Sequence, residues 1–165
     1  MKSKIENITK CLINEELIEF GRAADLVWFS FGKEILIKNS KGSRKKNKYS
    51  IHIQCPWRLS IKDKVKVASY DIYLPIDSNI QNFNWEEFGS NIFDNISIKF
   101  LQNQKRNYLV KKIVADKFGG LKIIFNKNLT LEIFTNSSQN EEFWRFIKFG
   151  NKSKHFVIGS FGVVE

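Results

Sequence analysis

The chain has 165 residues, 27 Lys and Arg against 17 Asp and Glu, and a formal net charge of +10. That length fits one domain, and 42% hydrophobic residues exclude wholesale disorder. Two Cys argue against a disulfide scaffold, and no apolar run approaches the roughly 20 residues of a membrane span. The N-terminus lacks a secretory signal pattern. We therefore expect one basic domain in the cytoplasm, with no membrane partner.

The first third of the chain predicts a helix followed by strands. Ser3 and Glu6 have capping-box spacing ahead of apolar residues at helical intervals, so we predict a helix from about Lys4 to Ile13. Apolar runs separated by Gly21 and by Gly32-Lys33 then predict a three-strand meander over 17–20, 26–31 and 34–37. The polar, basic stretch 41–48 predicts a solvated hairpin loop.

The next segment alternates in a way that is typical of strands. Ile51 and Ile53 fall on one face of the run 49–55, and His52 falls on the other. Pro56 interrupts this ladder, which predicts a bulge or corner before further strands at 57–61 and 64–68. Residues 71–90 are acidic, aromatic and irregular, so we predict a long ordered loop, a class that is often functional.

The remaining elements complete the predicted fold. We predict a helix from about 91 to 104, strands at 108–115, 121–125 and 129–134, and a final strand at 155–159. A second capping-box pattern, Ser138 and Glu141, predicts a short helix around 142–147. The fold class that follows is a single α+β domain over 1–165. It is a mostly antiparallel sheet of about 8–10 short strands with an N-terminal helix, a central helix and a short helix in the C-terminal third.

Charge is distributed in blocks along the chain. Segments 33–48 and 99–127 sum to +6 and +7, whereas 71–98 has five acids and no Lys or Arg. Such blocks can build separate basic and acidic faces, which favours steering and docking. Among the basic residues, 22 are Lys and 5 are Arg, and the chain also has 16 Asn and 21 Ile. AT-rich codons alone produce that mixture, so the excess charge has a compositional explanation as well as a functional one.

The basic blocks supply candidate residues for a basic patch. The stretch 41–48 has two interpretations, a solubilising loop and a basic finger for phosphate or an acidic partner. The candidates in the two blocks are Lys41, Arg44, Lys45, Lys46, Lys48, Lys105, Arg106, Lys111 and Lys112.

The sequence contains no motif that would assign a catalytic or a metal-binding site. His52 and Cys55 point to opposite faces of a strand, so they form no local nucleophile pair. The two Cys and two His lack zinc-ligand spacing, and no phosphate-binding glycine loop or nucleophile elbow occurs. We therefore predict no catalytic residue, no metal site and no cofactor.

Two Trp-Arg dipeptides are the most unusual local feature, because they use two of the five Arg and two of the four Trp. Arg stacks on Trp and holds carboxylates bidentately, and both types are common in binding hot spots. One interpretation is an internal ion-pair and stacking network, and the other is an anchor pocket for a carboxylate or phosphate. The ligand or partner candidates are Trp57, Arg58, Asp71, Tyr73, Trp85, Trp144 and Arg145.

Four motifs resemble a family of uncharacterised bacterial proteins. They are HIQCPWR at 52–58, WEEFGSNIFD at 85–94, LEIF at 131–134 and EEFWR at 141–145. The resemblance covers roughly residues 17–150 and implies one bacterial domain without an assigned reaction.

Three functions are compatible with these observations. The first is a non-catalytic, protein-binding module of immunity-like or regulatory type, favoured by the blocky charge and the aromatic, acidic loop. The second is a nucleic-acid-binding protein that uses segments 33–48 and 99–127. The third is an enzyme or small-ligand site around Trp57, Arg58, Asp71 and Trp144.

Overall fold

The computed structural model describes residues 1–39, 42–103 and 107–165, and these form two α-helices and eleven strands. The helices are α1 (Lys2–Thr9) and α2 (Ile92–Gln102). The strands are β1 (Leu17–Ala23), β2 (Leu26–Asn39), β3 (Gly42–Ile53), β4 (Trp57–Ile61), β5 (Lys64–Ala68), β6 (Val110–Ala115), β7 (Leu121–Phe125), β8 (Leu129–Ile133), β9 (Glu142–Lys148), β10 (Lys154–Gly159) and β11 (Gly162–Val164).

The strands form two antiparallel sheets that share one core. The six-stranded sheet has the order β1-β2-β3-β9-β10-β11, and the five-stranded sheet has the order β5-β4-β8-β7-β6. Phe29 of the first sheet packs edge-on against Trp57 of the second, and Phe31 stacks with Phe125. The mostly antiparallel architecture predicted from the sequence is confirmed. No helix among the described residues is long and apolar enough to cross a membrane.

Two segments connect the sheets. Between β3 and β4 the chain leaves one sheet and enters the other at Cys55-Pro56, which is the corner that the proline predicts. On the far side, residues that precede β1 bond to the start of β6. The Val110 N–H donates to the Glu15 carbonyl at 3.0 Å, and Glu16 bridges Leu109.

The predicted meander and basic loop are wrong, because β2 and β3 are two long strands. Strand β2 continues through Gly32-Lys33, where those two residues lie opposite Lys48 alone in a β-bulge. Gly32 has a φ of 76°, which suits glycine at such a bulge. Residues 42–48 therefore belong to β3 rather than to a loop.

The helix predicted around 142–147 is also wrong, because this segment is strand β9 between β3 and β10. Trp144 and Phe146 lie on the core face of β9 and Ile147 lies on the other, while Phe143 falls at a register shift next to Glu142; all four apolar residues are buried. A strand that is buried on both faces has a nearly continuous apolar run, which sequence periodicity cannot distinguish from a short helix.

The helices differ from the prediction mainly at their ends. Helix α1 begins at Lys2 without a side-chain cap, and the Glu6 carboxylate instead accepts the Ala115 N–H at 3.1 Å. The predicted capping box at Ser3 is therefore wrong. Helix α2 lies within the segment predicted as 91–104, and the Asn91 side chain caps it by accepting the Asp94 N–H at 2.8 Å.

Candidate functional site

In both Trp-Arg dipeptides the tryptophan faces the core and the arginine faces outward, because neighbouring residues of a strand point to opposite sides. Trp57 is buried in β4, and Trp144 is buried in β9 with its indole N–H donating to the Gly119 carbonyl at 2.7 Å. Neither arginine stacks on its neighbouring tryptophan. Arg58 instead lies over the Phe134 ring, 5.1 Å from its centroid.

Both arginines are held by carboxylates of the same chain. Arg58 donates to Glu132 at 2.7 Å across the β4–β8 pair, and Lys122 approaches the other oxygen at 3.1 Å. The hydrogen bond from Arg58 is the largest cause of a lowered pKa of Glu132. Arg145 makes two bonds of 2.6 Å to Glu142.

Trp57, Arg58, Asp71 and Trp144 do not converge on one pocket, because Trp57 and Arg58 point to opposite sides of β4. The two tryptophans are core residues, and Arg58 already holds Glu132. Asp71 accepts the Ala68 backbone N–H at 2.8 Å and so stabilises the turn after β5. Trp57 lines a separate cavity of about 170 Å³ together with Tyr70 and Tyr73. The ion pairs agree with the internal-network interpretation, but the Trp–Arg stacking in that interpretation is not formed.

The other aromatic candidates lie in the loop that joins β5 to α2, here called the acidic loop (residues 69–91). Tyr73 packs edge-on against Trp85, with ring centroids 5.0 Å apart, and Tyr70 lies 6.0 Å from Tyr73. Burial raises the pKa of Tyr73, and the nearby Asp25 charge adds to that rise. Trp85 also packs against the core, so the cluster is rooted in the fold.

The acidic loop exposes an unusual share of apolar side chains for a loop with no Lys or Arg. Tyr70 and Phe88 are each 69% exposed. Tyr73, Ile76 and Ile80 are also exposed, and the loop contains four carboxylates: Asp71, Asp77, Glu86 and Glu87. Clustered apolar exposure beside charged groups is typical of contact surfaces.

A buried ion pair holds this loop in place. The Arg22 guanidinium donates from Nε and Nη2 to the two oxygens of Asp94, both at 2.8 Å, and also to the Trp85 carbonyl at 2.9 Å. Asp94 accepts the Gly89 N–H at 2.8 Å as well. The pair therefore ties β1, α2 and the acidic loop together.

Sequence reasoning missed the Arg22–Asp94 pair, because its members lie 72 residues apart. From the sequence, an acid in the first turn of a helix is explained by the helix dipole alone, so Asp94 gives no reason to expect an ion pair. Only two weak features of the sequence pointed to this pair. Asn91 has the spacing of a helix cap three residues before Asp94, and Arg22 follows Gly21 at the end of a predicted strand.

The basic candidates fall into two groups, and Lys41, Lys105 and Arg106 lie outside the described residues. Arg44, Lys45, Lys46 and Lys48 lie on the basic ribbon, defined as the part of the β2–β3 pair at 33–39 and 42–48. This ribbon extends beyond the sheet, because β9 pairs only with Tyr49–Ile53 of β3. Lys111 and Lys112 lie on β6, beside Lys2 and Lys10 of the N-terminal helical segment.

The two basic groups approach each other at the base of the ribbon. Lys48 forms an ion pair of 3.1 Å with Glu15, whose carbonyl accepts the N–H of Val110 next to Lys111. Lys127 lies over the ring of Tyr108, which precedes β6, with its amine 5.6 Å from the ring centroid. The base of the ribbon is therefore connected through Glu15 to the start of β6.

Thiol and metal chemistry find no support in the geometry. Burial raises the pKa of Cys55 to about 12, so its thiolate is negligible at neutral pH. Among the residues that the structure describes, no group of three or more His, Cys, Asp or Glu could hold a metal ion.

Comparison with known proteins finds no matching family model, no matching curated protein and no matching solved structure. The resemblance to uncharacterised bacterial proteins therefore stays a prediction.

Proposed function

We propose that this protein is a small, non-catalytic module that binds another protein through its acidic loop, in an immunity-like or regulatory role. The observation that carries the proposal is the exposure of Tyr70, Tyr73 and Phe88 beside the loop's carboxylates. Tyr and Phe bury large areas on binding at a low entropic cost, and hot spots are rich in such anchors.

The charge of the loop specifies the partner. The acidic loop has four carboxylates and no Lys or Arg, although the net charge of the chain is +10. A complementary surface is basic with apolar pockets, since opposite potentials accelerate encounter and like charges are rejected. The Arg22–Asp94 pair supports the proposal, because a loop that is ordered before binding loses little entropy when the partner docks.

The test is affinity capture from source-cell lysate with wild-type protein and a Tyr70→Ser, Phe88→Ser double variant. We expect the wild type to capture a basic protein that the double variant loses. Phe118→Ser is the matched control, because Phe118 is similarly exposed at the β6–β7 turn, outside the acidic loop. Titration of the purified partner should then reproduce the difference. Equal capture by all three proteins, or capture of nothing, would contradict the proposal.

A second candidate function is nucleic-acid binding by the basic ribbon, favoured by the connection of its base, through Glu15, to the strand that contains Lys111. Two-stranded ribbons fit the major groove of duplex DNA. Binding to a duplex should weaken steeply with salt, and Arg44→Ala with Lys48→Ala should weaken it further. The acidic-loop double variant should bind DNA as the wild type does. A chain that binds no DNA or RNA at low salt excludes this candidate.

A further inference from the structure

The outer face of the six-stranded sheet contains a cleft of about 350 Å³ that lies outside the acidic loop and shares Lys46 and Asn47 with the basic ribbon. We call it the sheet cleft, and the lining residues that matter here are Glu19, Trp28, Ser30, Lys46, Ser50 and His52. Its volume falls at the lower end of the range for small-molecule sites.

The cleft exists because small side chains lie next to large ones on this face. Ser30 and Ser50 pair across β2 and β3 and form a buried floor. The neighbouring pair is Trp28 with His52. The Trp28 indole lies over Gly21 of β1, where an added Cβ would be 2.6 Å from its Cζ2 atom. A glycine at this position therefore lets the indole lie against β1.

Two polar side chains of the cleft already have partners, because Ser50 donates to the Phe29 carbonyl at 3.2 Å and Asn47 donates to the Gly32 carbonyl at 3.0 Å. Within the part of the chain that the structure describes, no hydrogen bond or ion pair engages the side chains of Glu19, Trp28, Ser30, Lys46 or His52. The other three tryptophans differ, since each packs against another ring or donates from its indole. An unpaired carboxylate, amine, imidazole and indole at one cleft are groups available to a ligand.

The two ends of the cleft favour different parts of a ligand. Lys46 and His52 lie on the same face of β3 but six residues apart, with Ser50 between them, so they mark opposite ends of the cleft. Burial is the main cause of the lowered pKa of His52; Arg145, His155 and Lys46 lower that pKa further, whereas Glu142, which holds Arg145, raises it. The Lys46 amine makes its own end of the cleft suitable for an anion. Glu19 on β1 is a hydrogen-bond acceptor for N–H groups. Trp28 and Phe149 supply aromatic surface between polar groups, and flat rings stack on such surface.

We propose that the sheet cleft binds a small molecule in which a flat heteroaromatic ring with N–H donors carries an anionic group, the chemistry of a mononucleotide. The ring packs on Trp28 beside His52 with its N–H edge toward Glu19, and the anion lies at the other end of the cleft, near Lys46. This site is independent of the acidic loop and of a protein partner.

The test is isothermal titration of the full chain with GMP, AMP, guanosine and inorganic phosphate. We expect GMP or AMP to bind more tightly than guanosine or phosphate, because only the mononucleotides contact both ends of the cleft. Glu19→Gln, Trp28→Ala and Lys46→Ala should each weaken that binding about tenfold, which corresponds to about 1.4 kcal/mol.

Lys45→Ala is the matched control, because Lys45 lies on the opposite face of the same strand and pairs with Glu34 at 3.2 Å. It should leave nucleotide affinity unchanged. Thermal unfolding of each variant identifies loss of fold, and Trp28→Phe, which keeps a ring over Gly21, should retain most of the binding. Absence of binding by both mononucleotides at millimolar concentration would overturn the proposal. So would phosphate binding as tightly as GMP, or an equal loss in Lys45→Ala.

Discussion

Asp94 and Glu132 are both held by an arginine at nearly the same distance, 2.8 and 2.7 Å, but in different surroundings. The side chains of Arg22 and Asp94 are 4% and 0% exposed, whereas those of Arg58 and Glu132 are 45% and 15% exposed. Breaking a dry pair leaves an unpaired charge in the interior, while water solvates the partner left by a surface pair. The burial of the side chains, rather than the distance between the charged atoms, therefore determines which ion pair costs more stability when it is broken.

The largest effect should come from Asp94→Asn. The substitution leaves the Arg22 guanidinium buried without a counter-charge, and we expect a loss of about 3–5 kcal/mol in the free energy of unfolding. Urea denaturation measures this value. Hydrogen exchange should also quicken at the Gly89 amide, which donates to Asp94. Glu132→Gln serves as the comparison, and an equal loss in the two variants would refute the ranking.

A smaller effect should follow Arg58→Ala. Because the Arg58 side chain is 45% exposed, we expect a loss of about 0.2–1 kcal/mol in the free energy of unfolding that shrinks as salt screens the pair. The measurement is urea denaturation at low and high ionic strength. A loss as large as that of Asp94→Asn, or one that is insensitive to salt, would show that the Phe134 contact dominates instead.

Glu132 should also make the free energy of unfolding depend on pH in the acidic range. Its pKa is lowered from the ordinary 4.5, chiefly by the hydrogen bond from Arg58. As the pH falls, Glu132 is therefore protonated in the unfolded chain before it is protonated in the folded chain. The contribution of Glu132 is present above pH 4.5 and is lost as pH falls through the lowered pKa. Glu132→Gln should flatten the stability curve in that range, and an unchanged curve would contradict this assignment.

The smallest effect should come from His52, which is half-buried and has no ion-pair partner among the described residues. Burial lowers its pKa below the ordinary 6.5, so the unfolded chain binds the proton more readily. Its contribution to stability is complete above pH 6.5 and declines as pH falls below that value. Between neutral pH and about pH 5, the free energy of unfolding of His52→Gln should change less with pH than that of the wild type. The same pH dependence in the variant and the wild type would contradict a contribution of buried His52 to this dependence.

Local patterns predicted much of the fold, and contacts distant in sequence account for most of what they missed. Alternation placed Ile51 and Ile53 in the core with His52 on the other face, and Pro56 marked the corner between the sheets. The β-bulge at Gly32 was invisible, because a glycine and a lysine between apolar runs resemble a turn. Strand β9 was mistaken for a helix because apolar residues occupy both of its faces.

The candidate sites were predictable to different degrees. Composition alone identified the acidic loop, since its carboxylates and aromatics are contiguous. The sheet cleft was not predictable, because its lining residues are spread over β1, β2 and β3 and form no sequence motif. The Trp-Arg dipeptides suggested an anchor pocket from the sequence. In a strand, neighbouring side chains point to opposite faces, so the Trp and Arg of one dipeptide do not line the same pocket.

The order of strands has a consequence for how the chain reaches this structure. Arg58 pairs with Glu132, 74 residues later, and the pairing of His52 with Arg145 spans still more of the chain. Both sheets thus close only when distant segments meet, and such long loops make folding slow, on a scale of about milliseconds to seconds. Trp57 and Trp144 lie at these two closures, so their fluorescence reports when each sheet is completed.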